Sequence, residues 1–265
     1  MILDCFIFYR ELDLLEGRLE YLYDTVDYFV IVEADITHAG NKKELNFLNN
    51  ISRYKKYLDK IIYQPIHINT EPFKDSINVD KASPDSYSWK IENAHRSHID
   101  NVIGLFPDDA IVMISDLDEI PLKSAIKQNK DLVNTYSAFA LFQKLCFYNF
   151  KQYCSMPWHG TVIAKNNFAK AQGVQWLRNM RYDIPKVFDG GYHLSYWGTA
   201  EDIKIKLENF AHQDINNPTQ TDIKRIQWNM EQGLDPFNRV DMIKSQPGDI
   251  DVDIYNVFNK YIKVQ

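Results

Sequence analysis

The sequence is poor in cysteine, glycine and proline, and it has no long apolar run. Its 265 residues include three cysteines, too few and too scattered for a disulfide framework or a zinc site, which predicts buried, reduced thiols. Ten glycines and ten prolines exclude collagen-like and low-complexity chains. The longest apolar runs, AIVMI and AFALF, fall far short of the ~20 residues of a membrane-spanning helix. We therefore expect a soluble protein without a membrane span.

The chain also lacks an excess of basic residues. Its 30 lysines and arginines against 36 acidic residues give a net charge of −6, which argues against nucleic acid as a partner. The N-terminal segment, MILDCFIFYRELD, has no basic leader and carries a charge by Asp4, so no signal peptide is expected. Together with the reduced cysteines, this predicts a cytoplasmic location.

What the sequence does contain is an ordinary globular balance, with 45% hydrophobic and 25% charged residues. A chain of this length is expected to form one domain, here residues 1–265. An apolar run at residues 2–9, a helical pattern at 12–26 and a second apolar run at 28–34 predict a strand, a helix and a parallel strand.

This alternation continues to about residue 120. A short helix at 51–59, a strand at 60–66, a long helix at 87–105 and a buried strand at 110–115 are predicted. The fold class is therefore α/β, with a Rossmann-like, mostly parallel sheet, helices on both faces and a nucleotide-binding half at about 1–120.

The second half, about 121–265, has a different pattern. Strands are predicted at 137–150, 158–165 and 191–196, which indicates a mixed sheet packed on the first half. Two helices follow, one starting at Thr199 with the capping-box spacing to Asp202, the other at 219–232 before Gly233.

The strongest chemical signal is Ser115-Asp116-Leu117-Asp118-Glu119, directly after the buried strand. Asp116 and Asp118 alternate along an extended chain, so both side chains can point the same way. Two carboxylates at this edge of a parallel sheet suit Mg²⁺ or Mn²⁺ held against a diphosphate. A solvated acidic turn is the alternative. An EF-hand is excluded because Pro121 stands where that loop needs glycine.

Three weaker signals lie elsewhere. Glu33 and Asp35 end the second strand, where an α/β domain binds a ribose or base, although a plain loop role explains them equally well. His193 follows two glycines and could bind a metal or a diphosphate. Glu201 opens a helix, where a carboxylate could act as a base or simply favour the helix N-terminus.

Taken together, these segments resemble glycosyltransferase family 17, which includes the enzyme that adds the bisecting N-acetylglucosamine to N-glycans. The resemblance covers roughly residues 4–212 and rests on an ordered set of motifs: DCF at 4–6 and ELDLLE at 11–16, VIVEAD at 30–35 with Thr37-His38, the W-x-x-E-N-x-x-R pattern at 89–96, SDLDEIP at 115–121, GGYHLS at 190–195 and FAH at 210–212.

The resemblance implies a GT-A fold, an inverting reaction and a nucleotide-sugar donor, UDP-N-acetylglucosamine, with a glycan or glycoprotein hydroxyl as acceptor. It implies that Asp116 and Asp118 hold Mn²⁺ or Mg²⁺ against the diphosphate, that Asp116 also belongs to the nucleotide-sugar site, and that His193 completes the shell.

Further roles follow from the same resemblance. Glu11, Glu33 and Asp35 would line the uridine pocket, and Arg96 would face the phosphates. Glu201 would be the general base, with Asp189 in reserve. The acceptor would meet Trp158, Tyr192 and Trp197.

Two departures from the family pattern limit which of the family's activities the resemblance implies for this chain. Tyr192 stands where the family usually has tryptophan. Animal members carry a membrane anchor and act in the Golgi, whereas a bacterial or viral member that builds its own glycans fits this chain better. Two other functions stay open from the residues alone: a nucleotide-sugar-binding protein without transfer activity, and a metal-dependent phosphohydrolase.

Overall fold

The first half of the chain forms four parallel strands with helices between them. The computed structural model describes residues 1–239 and 241–262. The elements are β1 (Ile2–Phe8), α1 (Leu12–Leu22), β2 (Tyr28–Ala34), α2 (Asn46–Asn49), β3 (Ile61–Ile66), α3 (Tyr87–Ser97), α4 (Ile99–Ile103) and β4 (Ile111–Asp116). The strands pair in the order β3-β2-β1-β4, all parallel. Their carboxyl ends therefore meet at one edge.

Two predicted helices of the first half differ from the structure in type or continuity. Residues 51–60 form a 3₁₀-helix rather than an α-helix. The long helix predicted at 87–105 is divided between α3 and α4 at His98. The His98 ring Nδ1 lies 2.8 Å from the Ala94 carbonyl oxygen, which a continuous helix would give to the His98 amide. That amide donates instead to the His95 carbonyl at 3.3 Å, a tighter 3₁₀ pattern.

The second half extends the same sheet with antiparallel and parallel pairings. Its elements are β5 (Glu119–Pro121), α5 (Lys123–Asn129), α6 (Val133–Tyr136), β6 (Ala138–Phe147), β7 (Gln152–Cys154), β8 (Trp158–Lys165), α7 (Asn166–Gln172), α8 (Val174–Asn179), β9 (Lys186–Ser195), α9 (Ala200–Asn209), α10 (Ile223–Gln232), β10 (Met242–Lys244) and α11 (Val252–Phe258). The eight-stranded sheet continues from β4 as β8-β6-β9-β5, and β7 pairs with β10 in a small separate sheet. The predicted α/β class, with a mostly parallel sheet and a mixed second half, is confirmed.

Helix ends follow the predicted capping chemistry. Thr199 Oγ1 accepts a hydrogen bond from the Asp202 amide, and the Asp202 carboxylate accepts one from the Thr199 amide, so α9 begins with a capping box. The next helix, α10, begins four residues later than predicted because Asp222 caps it through the Arg225 amide. It ends at Gly233, which adopts the left-handed conformation with φ of 65°.

The sheet is apolar on both faces. In β1, Phe6 packs on the same side as Leu15 of α1, whereas Leu3 and Cys5 face the other side together with Ile91 of α3. This alternation explains why the strands read as continuous apolar runs in the sequence. Among the described residues, no helix is long and apolar enough to cross a membrane.

The last helix returns to the first. Phe258 of α11 is fully buried, and its ring lies where a side chain at Gly17 of α1 would be, with a built Cβ only 2.6 Å away. Lys260 forms an ion pair with Glu20 of α1 at 2.7 Å. The absence of a side chain at Gly17 thus allows α11 to cover α1.

Candidate active site

The carboxyl ends of β1, β2 and β4 open into a cavity of about 730 Å³. Tyr9, Thr37 and Asp116, which lie at or just beyond these ends, line it, and His193 of β9 and Lys206 of α9 close it from the second half. A cleft at the carboxyl ends of parallel strands is where open α/β sheets bind their ligands.

Arg18 of α1 holds the turn that carries the two aspartates. Its side chain is fully buried and pairs with Asp4 through bonds of 2.6 and 2.8 Å. Its Nη1 also donates to the carbonyl oxygens of Asp116, Leu117 and Glu119 at 3.1, 2.9 and 2.7 Å. One guanidinium thus fixes three of the carbonyl oxygens of the turn between residues 116 and 119.

The Asp116 carboxylate lies between two arginines. Arg96 of α3 donates to Oδ1 at 2.8 Å, and Arg178 of α8 donates to Oδ2 at 2.9 Å. Burial alone would raise the pKa of Asp116, but the charges of Arg178 and Arg96 hold it well below its usual range. Asp116 therefore remains ionised, with both oxygens engaged.

Behind Asp116, the buried carboxylate of Glu119 holds two side chains of the cavity wall, Arg178 and Trp158. Glu119 accepts hydrogen bonds from Arg178, from the Trp158 indole at 2.6 Å and from the Asp116 amide at 3.1 Å. It is fully buried, so these bonds satisfy a charge that water does not reach. The side chains of Arg178 and Trp158 are thus held on the cavity wall.

Asp118 faces a different set of partners. Lys206 donates to its Oδ2 at 2.8 Å, and His193 Nε2 lies 3.3 Å from its Oδ1. Lys206 is also 3.8 Å from Glu11. Burial would raise the pKa of Asp118, but Lys206 and His193 lower it below its ordinary value. For Lys206 the signs are reversed: burial would lower its pKa, but the charges of Asp118 and Glu11 raise it. Asp118 and Lys206 therefore both stay charged.

Asp118 and His193 fit a divalent cation. Their facing atoms are 3.3 Å apart, and neighbouring ligands of an octahedral ion with bonds of ~2.1 Å lie about 3 Å apart. A carboxylate oxygen and an imidazole nitrogen suit Mn²⁺, or a Mg²⁺ that keeps waters and phosphate oxygens as its other ligands. Across residues 1–239 and 241–262, no group of three or more His, Cys, Asp and Glu side chains is arranged to hold a metal. Asp118 and His193 thus offer two protein ligands, and the other positions of an octahedral ion would be open to water and phosphate oxygens.

Of the three carboxylates predicted for the uridine pocket, Glu11 lines the cavity. Glu33 is buried behind it, where its oxygens accept from Lys43 at 2.7 Å and from the Asn46 and Phe47 amides at the start of α2. Asp35 pairs with His67 at 2.7 Å, also outside the cavity wall.

A second polar chain runs along the wall beside Arg96. Glu92 accepts from Arg96 at 2.8 Å and lies 3.4 Å from His38. His38 in turn is 3.3 Å from His95, whose Nε2 reaches the Val32 carbonyl oxygen at 3.0 Å. Burial, followed by the neighbouring His38, lowers the pKa of His95 well below its usual value, so His95 is neutral.

The two carboxylates predicted as general bases lie outside the cavity wall. Glu201 is exposed in the first turn of α9, and Asp189 is exposed on β9 with φ of 50°. The structure does not bring either into contact with Asp116 or Asp118. The wall does contain Asp214, whose side chain is about one-third exposed and lies 3.8 Å from His212.

Of the three aromatic residues predicted to contact the acceptor, one lines the cavity and two do not. Trp158 lines the cavity and packs against His193 with ring centroids 4.6 Å apart. Tyr192 points to the opposite face of β9, where its hydroxyl binds the backbone of the segment before α11. Trp197 is buried against Phe150.

Sequence reasoning found Arg96 but missed two other basic partners of the aspartates, Arg178 and Lys206, and the role of Arg18 in positioning them. Arg178 and Lys206 are distant in sequence from Asp116 and Asp118, so no local motif marks them. One signal was available for Lys206: it directly precedes Leu207, part of the apolar stripe of its helix, and so borders the buried face. Arg18 occupies a buried position on α1.

The family comparison identifies this chain. The model of glycosyltransferase family 17 matches residues 1–245. The chain belongs to glycosyltransferase family 17. The family predicted from the motifs is thereby confirmed, and the chain is a glycosyltransferase.

Comparisons with other proteins add distant similarities to this family 17 chain. A search of curated proteins found no match. Solved structures with a distant similarity to this chain include galactosyltransferase LgtC in complex with donor and acceptor sugar analogues (10% identity, TM-score 0.37, 71% of this chain and 67% of that one), TarS 1–349 of S. aureus (12%, 0.40, 99% and 81%) and 4-diphosphocytidyl-2C-methyl-D-erythritol synthase (9%, 0.42, 77% and 96%).

Proposed function

We propose that this chain is a metal-dependent, inverting glycosyltransferase that moves N-acetylglucosamine from UDP-N-acetylglucosamine to a hydroxyl group of a glycan. The observation that carries the proposal is the charged cluster after β4. Asp116 and Asp118 are held there among Arg96, Arg178 and Lys206, in a cleft of a net acidic chain. Convergent cations beside two carboxylates are suited to a diphosphate and the cation that accompanies it.

Asp118 and His193 would hold Mn²⁺ or Mg²⁺, which when bound neutralises the charge that develops on the departing UDP. Arg96 and Arg178 keep Asp116 ionised beside this position. Arg181 lines the same wall and, within the described part of the chain, forms no ion pair with a carboxylate. Its Nη1 and Nη2 donate to the Arg178 carbonyl oxygen and the Tyr182 hydroxyl at 2.7 Å, whereas its Nε has no partner among the described residues and is available to a phosphate oxygen.

Unsatisfied nitrogens on the wall support an oxygen-rich ligand. Nε of Arg96, Nε of Arg181 and Nδ1 of His193 are buried and have no hydrogen-bond partner among the residues that the structure describes. Buried polar groups without partners are costly and uncommon in folded proteins. All three residues line the cavity, where phosphate oxygens would be acceptors for the arginine N–H groups.

The nucleoside would lie beside Glu11, between the ends of β1 and β2. In this proposal Glu33 acts from behind the wall, because it fixes Lys43, which lines the cavity. Asp35 supports the same segment: it accepts from His67, and its carbonyl oxygen accepts from the Lys43 amide at 2.9 Å.

The acceptor would approach over Trp158, and inversion requires a base that removes the proton of its hydroxyl. Glu201 and Asp189 remain predictions for this role. Asp214 joins them because it lies on the cavity wall and, unlike Asp116, has no arginine among its ion-pair partners in the described chain. Tyr192 and Trp197 would shape the acceptor side indirectly, by packing.

Calorimetric titration with UDP, GDP and CDP, each with and without Mn²⁺, tests the donor site. Of the three nucleotides, only UDP is expected to bind, and it should bind only when Mn²⁺ is present. Asp118→Asn should weaken this binding at least about tenfold, because it removes a charged ligand. Asp109→Asn, a change at an exposed carboxylate, serves as the control. Metal-independent binding, or no binding of any nucleotide, would contradict the proposal.

Turnover separates transfer from binding and from phosphate release. UDP release from UDP-N-acetylglucosamine is followed with a panel of oligosaccharide acceptors for the wild type and for Glu201→Gln, Asp189→Asn and Asp214→Asn. The variant that lacks the base should keep its affinity for UDP and lose transfer. Donor binding without any transfer would indicate a binding protein, and release of phosphate from p-nitrophenyl phosphate would indicate a phosphohydrolase.

A further inference from the structure

Lys206 occupies an unusual place for a lysine in a cation-binding site. Its side chain is 24% exposed, and its ammonium lies 2.8 Å from Oδ2 of Asp118 and 3.8 Å from Glu11. The other oxygen of the same carboxylate faces His193. The ammonium of Lys206 thus already pairs with Asp118, the residue expected to bind Mn²⁺ or Mg²⁺.

The charge of Lys206 is expected to affect the binding of the metal cation and of the anionic diphosphate in opposite ways. A like charge within a few ångströms disfavours the binding of a cation, whereas it favours the binding of an anion. Lysine is suited to such an exchange, because its ammonium is a compact charge on a flexible four-carbon stem that can move between two oxygen acceptors. Arg96 and Arg178, by contrast, are held by Glu92 and Glu119 as well as by Asp116.

We propose that Lys206 is a resident counter-ion of Asp118, which opposes cation binding in the free protein and contacts the donor diphosphate once the nucleotide is bound. This inference rests on the proposed function and adds a coupling between the binding of the cation and the binding of the nucleotide. The cation and the nucleotide then bind together, because the nucleotide draws the lysine away from the carboxylate that the cation needs.

Two titrations test the proposal. Mn²⁺ alone is titrated into the nucleotide-free protein, and UDP is titrated at saturating Mn²⁺. Lys206→Met is expected to bind Mn²⁺ about tenfold more tightly and UDP about tenfold more weakly than the wild type. Lys206→Arg keeps the charge, so its affinity for Mn²⁺ should stay closer to the wild type than that of Lys206→Met.

Lys204→Met is the matched control, since Lys204 lies on the same helix and pairs at 3.8 Å with Glu208 rather than with Asp118. It should change neither affinity. Lys206→Gln repeats the test with a polar side chain, and thermal melts establish that each variant is folded.

The sign of the two changes decides the outcome. If Lys206→Met and Lys206→Gln weaken both ligands, or change neither, the counter-ion role is wrong and Lys206 is a structural residue. If no variant binds UDP, the proposed function fails, while the Mn²⁺ titration still decides the counter-ion role separately.

Discussion

Replacing Arg18 by methionine is expected to destabilise the protein and to weaken nucleotide binding for two separable reasons. Arg18 and Asp4 form an ion pair with no exposed side-chain surface. The same guanidinium donates to the carbonyl oxygens of Asp116, Leu117 and Glu119. The substitution removes the countercharge of Asp4 and the donor that orders the turn.

The first effect dominates stability. Removing one partner of a buried ion pair typically costs about 3–5 kcal/mol, because the other charge is left buried. Replacing both partners by apolar residues is often nearly neutral. The double variant Asp4→Leu/Arg18→Met should therefore recover most of the free energy of unfolding that Arg18→Met loses.

The second effect should remain in the double variant. The three carbonyl oxygens of the turn still lack their donor, so Asp116 and Asp118 are no longer held in position. We expect the affinity for UDP in the presence of Mn²⁺ to stay low even when stability is recovered.

Urea denaturation measures the free energy of unfolding, and calorimetry measures the affinity for UDP. Arg53→Met is the control, because Arg53 forms partly exposed ion pairs with Asp13 and Glu16, and such pairs contribute about 0–1 kcal/mol. If the double variant bound UDP as tightly as the wild type, the positioning role of Arg18 would be refuted. If Arg18→Met were as stable as Arg53→Met, the estimate for the buried pair would be wrong.

Three further predictions concern the fold. Thr199→Ala removes the capping box of α9 and should lower the free energy of unfolding by about 1 kcal/mol in urea titrations. Gly191→Ala should cost about 2 kcal/mol or more by the same assay, because Gly191 has φ of 148° and an added Cβ would meet the Ile120 carbonyl oxygen and lie 2.9 Å from Pro121. Burial holds the pKa of folded His95 well below 6.5, so as the pH falls below about 6.5 the unfolded chain takes up a proton that the folded protein does not, and stability should fall. His95→Gln should reduce this fall between pH 6.5 and 5, while His38, whose pKa burial also lowers, keeps part of it. An unchanged slope in urea titrations would contradict this assignment.

Much of the fold could be predicted because its signals are local. The strand at 28–34 and the strand at 158–165 have the bounds expected from their apolar runs. The capping box at Thr199 was readable because both of its partners lie within four residues. The break at His98 was not, because it depends on a side chain that takes a backbone acceptor from its own helix.

In the candidate site, too, the residues that could be predicted are those with a local signal in the sequence. Asp116 ends β4 and Asp118 lies two residues later in the turn before β5, and His193 reaches Asp118 because β5 and β9 pair with Glu119 opposite His193. Glu33 looked like a ligand-binding carboxylate, yet local backbone amides at the start of α2 take its oxygens. Arg178 and Lys206 meet the aspartates only through the tertiary fold, which no spacing in the sequence encodes.

The packing of Phe258 against Gly17 has a consequence for how the protein is made. Roughly 240 residues separate the two positions, so at about 5–20 residues per second the ribosome needs some 10–50 s between them. During this interval the first helix has emerged but lacks the aromatic ring that later covers it. A nascent or prematurely terminated chain therefore exposes apolar surface on α1, by which chaperones and proteases can distinguish it from the finished protein.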